Sequence, residues 1–103
     1  MSSVVGELPS RGDFTEHLDS LFQSRLADGS DVVVRLAQVD PHGAFEGYDS
    51  FSLLFEAPPD GPVVQSIYHM RHPKMGEFDL FLVPVKKDEI GLYYEAVINR
   101  FIR

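Results

Sequence analysis

The chain has no cysteine, which excludes a disulfide framework, a thiolate metal site and a cysteine nucleophile, and leaves the redox compartment open. Basic residues are few: 9 Lys and Arg stand against 16 Asp and Glu, for a formal charge of -7 at pH 7. That sign opposes a phosphate backbone, and no run of Lys and Arg forms a local stripe, so no nucleic-acid partner is expected. No stretch approaches the ~20 apolar residues of a membrane span. Met1 to Pro9 carry neither the positive segment nor the apolar core of a secretory signal, and a cytoplasmic protein with no membrane partner is the expectation. The landmarks of several chemistries are missing as well. There is no Gly-x-Ser-x-Gly elbow and no phosphate loop, and the 8 glycines are scattered as turn formers.

What the chain does have is 44% hydrophobic and 12% aromatic residues within 103 positions, enough for one domain with its own core. Residues 1–12, with Ser, Gly and Pro, read as a flexible N-terminal arm, and residues 13–103 as a single β-barrel-like domain. Asp13-Phe14-Thr15-Glu16 resembles a capping box with Asp13 in the capping place. With Phe14 and Leu18 on one face, it predicts a short helix over roughly residues 14–20.

Three reversals end in glycine: Ala27-Asp28-Gly29, Lys74-Met75-Gly76 and Glu89-Ile90-Gly91. A three-residue loop closed by a left-handed glycine keeps parity across a hairpin. At the first loop this sets Ser24 opposite Val32 and Phe22 opposite Val34. At the second it sets Pro73 opposite Glu77, Met70 opposite Leu80, Tyr68 opposite Leu82 and Arg71 opposite Asp79. Strands are expected at about 21–27, 31–39, 51–55, 64–72, 77–85 and 92–101. Asp40-Pro41-His42-Gly43 reads as a turn, and the prolines of residues 57–62 as a firm stop. The fold class is therefore all-β with minor α: a six-stranded antiparallel small barrel or bent sandwich with one short N-terminal helix. Phe22, Phe55, Met70 and Leu80 would fill its interior.

The last two strands are apolar on both faces, since the odd positions Phe81, Val83, Val85, Tyr93, Val97 and Phe101 add a second greasy side. At roughly 1.5–3 kcal/mol for each fully buried side chain, that face calls for a cover. The N-terminal helix could supply it through Phe14, Leu18 and Leu21. Otherwise the six residues form a site for a protein partner or another copy of the chain.

Other candidates have simpler readings. His69 and His72, three apart on a strand, point to opposite faces and share a metal only if the ladder ends between them, with Glu77 or Asp79 as third ligand. Arg11-Gly12-Asp13 spells an adhesion tripeptide, yet Asp13 has a capping role. Asp49 with Glu56, or Glu77 with Asp79, could pair as acid and base. A ligand-binding barrel or small enzyme would use Tyr68, His69, Tyr94 and Asp49 at its mouth. No catalytic residue, metal or cofactor is assigned.

Phe51-Ser52-Leu53-Leu54-Phe55, Ile67-Tyr68-His69-Met70 with His72-Pro73, Met75-Gly76-Glu77-Phe78-Asp79-Leu80-Phe81-Leu82-Val83-Pro84-Val85 and Gly91-Leu92-Tyr93-Tyr94-Glu95-Ala96-Val97-Ile98-Asn99 carry a resemblance. So do Phe14-Thr15-Glu16-His17-Leu18 and Leu26-Ala27-Asp28-Gly29-Ser30. They resemble a family of short bacterial proteins classed as a domain of unknown function, whose members occur beside proteins like phage-tail collar and fibre subunits. The resemblance implies a non-catalytic accessory or interaction role in building an appendage.

Overall fold

The computed structural model describes residues 8–45 and 48–101, with the side chains of residues 43–45, 48, 100 and 101 outside that description. One helix, α1 (Arg11–Glu16), precedes β1 (Leu21–Arg25), β2 (Asp31–Phe45), β3 (Tyr48–Ala57), β4 (Ser66–His72), β5 (Gly76–Lys87) and β6 (Leu92–Phe101). The arm expected over residues 1–12 falls outside the described residues as far as residue 7. Beyond it Leu8 packs on the core, and Ser10 starts the helix.

The helix begins one turn earlier than the sequence pattern suggests. Ser10, not Asp13, is the cap: its hydroxyl accepts the Asp13 N–H at 3.1 Å, and the Asp13 carboxylate accepts the Ser10 N–H at 3.1 Å. Asp13 thus fills the return position of the capping box, a place more often held by Glu or Gln. His17 ends the helix, and Asp19 turns the chain at φ 72°. Leu18 therefore lies past the helix and is 44% exposed.

The first hairpin has the expected register, with Ser24 opposite Val32 and Phe22 opposite Val34. Gly29 sits at φ 92°, and the Leu26 N–H closes the loop on the Ser30 carbonyl at 2.9 Å. The second hairpin keeps the same faces but slips by two residues. His72 pairs with Gly76, Met70 with Phe78, Tyr68 with Leu80, and Arg71 with Glu77 instead of Asp79. The reason is Pro73: a pair of Pro73 with Glu77 would need an N–H that proline lacks. The His72 ring closes the loop instead, its Nδ1 accepting the N–H groups of Lys74 at 3.0 Å and Met75 at 3.2 Å.

The third loop is closed by Asp88, whose carboxylate accepts the N–H of Ile90 and of Gly91. Gly91 is not a left-handed residue; a Cβ there would stand 3.1 Å from the Ala57 carbonyl, so glycine permits a close backbone approach. The stretch from Asp40 to Gly43 is strand, not turn. Register shifts between Leu36 and Gln38 and between Pro41 and Ala44 carry Pro41 through the ladder. The fourth strand starts at Ser66, which leaves Val64 outside it.

Neighbours run β1-β2-β3-β6-β5-β4, and a three-residue pairing of β1 with β4 closes the ring. The closure is uneven, because β5 shifts register between Pro84 and Lys86 and meets β6 only over Val83–Lys87. Inside, Phe22, Phe55, Met70 and Leu80 are buried as expected. Phe14 plugs one end, its ring centroid 5.6 Å from that of Phe78 and 6.2 Å from that of Phe51. Tyr68 and Tyr94 meet inside, their ring centroids 5.4 Å apart and the rings tilted by 55°. Their hydroxyls donate to the carbonyls of Val64 and Pro62, which ties down the proline-rich connection.

Candidate functional site

Alternation along β5 and β6 sends Leu80, Leu82, Ala96 and Ile98 inward, so their odd neighbours must face out. Phe81 is 52% exposed, Val85 51% and Val97 57%. Val83 and Tyr93 are half-buried. Phe101 ends the β6 backbone, and its side chain lies outside the described residues.

The expected cover by the helix does not form. Six residues give α1 one buried contact, Phe14, and that ring enters the barrel end. Leu18 stays exposed, as does Leu21, the first residue of β1. The apolar patch is also wider than the sequence reading made it. Ile67 lies directly opposite Phe81 across the ladder and is 57% exposed. The signal was available, because Ile67 is an odd position on a strand whose even positions point inward.

Beside this patch the barrel wall parts. Gly76–Leu82 of β5 pairs with β4, and β6 pairs with β3 along its length. Between that half of β5 and Ala96–Phe101 of β6 no pairing occurs among the described residues. A surface cavity of about 470 Å³ lies in the gap, lined by Leu8, Asp79, Phe81, Val83, Glu95 and Val97 among others. Among the described residues each strand leaves the backbone groups of one edge without a ladder partner there.

Carboxylates border this region. His69, facing outward on β4, meets Asp79 through Nδ1 at 2.8 Å and Glu77 through Nε2 at 2.9 Å. Both ring nitrogens face acceptors, which favours the imidazolium. Hydrogen bonds to Asp79 and then Glu77 accordingly raise its pKa above the ordinary value. The acid–base pair considered for Glu77 and Asp79 is thus a clamp on one histidine.

The remaining candidates separate. His72 is on the inner side of β4, its Nε2 3.0 Å from Ser20 Oγ, and shares no partner with His69. Burial pushes its pKa down. Among the described residues no group of three His, Asp or Glu is placed to hold a metal. Arg11, Gly12 and Asp13 lie in the helix. Asp49 is 3.8 Å from Arg11, while Glu56 binds Arg35 and accepts the Tyr93 hydroxyl, so these two carboxylates serve different partners. Tyr68 and Tyr94 face inward and His69 outward, so the four residues considered for a barrel mouth do not converge. No helix among the described residues is long and apolar enough to cross a membrane.

The chain belongs to the family described as a domain of unknown function, DUF6916, whose model matches residues 9–98. Neither a curated protein nor a solved structure matches it.

Proposed function

We propose that this protein is a non-catalytic interaction module that binds a protein partner through the outer face of β5 and β6. The observation that carries this reading is the cluster of Phe81, Val85, Val97 and Ile67, each more than half exposed on a small acidic barrel. Apolar side chains gathered on neighbouring strands are a common mark of association surfaces, and aromatic anchors such as Phe81 tend to dominate their energy. Val83 and Tyr93 extend the face, and Phe101 stands at its end in sequence. The setting that the family resemblance suggests is assembly of a phage-tail-like or surface appendage, with this chain as an accessory and copies of itself as the other candidate partner.

A photo-crosslinking residue at position 81 tests the reading, with the same residue at position 15 on the exposed helix as control. Crosslinked adducts in cells of the source organism are expected at 81 and not at 15, and Val97→Lys should suppress them. A protein that stays monomeric in light scattering and yields equal adducts, or none, at both positions would overturn it.

A further inference from the structure

We infer that the gap between β5 and β6 takes up an extended segment of a protein partner as an added strand, one that alternates apolar and basic side chains. The inference rests on the interaction reading above and specifies its mode.

Among the described residues two facing strand edges have no ladder partner, Gly76–Leu82 on β5 and Ala96–Phe101 on β6. Exposed edges are usually blunted by proline, by lysine or by a cover. Neither segment contains proline or lysine, and of the described N-terminal residues Phe14 turns its ring into the barrel end against Phe78 while Leu8 lines the gap. An extended segment fits such edges because it offers N–H and C=O groups at the spacing they require, and its alternate side chains reach the flanking pockets.

Those flanks set the partner's chemistry. Phe81, Val83 and Val97 supply apolar contact, whereas Glu95 lines the same cavity with negative charge, next to an Asp79 carboxylate that is shared with His69. A Lys or Arg beside Glu95 and an aliphatic residue beside Phe81 meet both demands. A second copy of this chain meets them poorly, since each copy carries a formal charge of -7 and would set carboxylates against carboxylates.

The probe is a ten-residue synthetic peptide alternating valine and lysine, added to the full-length protein while amide hydrogen exchange is followed residue by residue. We expect exchange to slow at least tenfold at those amides of Glu77–Leu82 and Ala96–Asn99 that β4 and β3 leave unbonded. Protection should weaken with added salt and with Val97→Lys, and a valine–glutamate peptide should give none. Equal protection by both peptides, no protection by either, or protection already present without peptide would overturn the inference. If no protection appears but a crosslinker at position 81 still captures a partner, strand addition is wrong and the interaction reading stands. If both fail, both fall.

Discussion

His72 reaches Ser20 across the barrel end, its Nε2 3.0 Å from the serine hydroxyl oxygen. Because Nδ1 already accepts two loop N–H groups, the ring proton belongs on Nε2, and Ser20 accepts it while donating to the His17 carbonyl. A neutral ring is required, and burial lowers the His72 pKa. A depressed histidine contributes stability that is complete above the unfolded value of about 6.5 and is lost as pH falls toward the lower folded value. His72→Asn should keep an acceptor for the loop and flatten this acid loss. His72→Ala should destabilise by about 1–3 kcal/mol through the orphaned N–H groups. Chemical denaturation of the variants between pH 5 and 8 checks both.

His69 should do the reverse. Its pKa is raised by Asp79 and Glu77, so its contribution is complete below about 6.5 and fades as pH rises through the higher folded value. His69→Gln should lose stability mainly on the acid side, leaving the His72 effect unopposed. The loss should be small and salt-dependent, because the ring is partly exposed. Melting temperature against pH at two ionic strengths distinguishes the two histidines.

Phe14→Ala should be the most damaging change in the N-terminal segment. The ring is fully buried and packs edge-on to Phe78, and truncating a buried phenylalanine typically destabilises by about 3–5 kcal/mol. Leu18→Ala, by contrast, should stay within about 0.5 kcal/mol. Equal effects of the two in urea titrations would contradict the placement of the helix.

Tyr94→Phe removes the hydroxyl that donates to Pro62. A loss near 1 kcal/mol is expected, with faster protease cleavage between residues 58 and 65. Cleavage unchanged from wild type would show that the connection is held by other contacts.

Much of this architecture was readable in advance where local chemistry decides the outcome. The Ala27-Asp28-Gly29 loop set its register because Leu26 has an N–H to close it. The next loop slipped because Pro73 has none, a fact present in the sequence but outweighed there by the glycine. The passage of Pro41 through a strand was not legible, since it depends on β3 lying alongside. The outward positions Phe81, Val85 and Val97 followed from alternation. That they stay uncovered did not follow, because it depends on where six helical residues find their best packing. The parting of β5 from β6 likewise reflects ring closure, which no local pattern reports.

The strand order places two three-stranded meanders side by side, β1-β2-β3 and β4-β5-β6, with the segment around residues 58–65 as their sole covalent link. Ten residue pairs zip β3 to β6 and three join β1 to β4. A nick in that link would thus sever the polypeptide without unbuttoning the longer seam, and the two halves, made separately, are natural complements for reassembly.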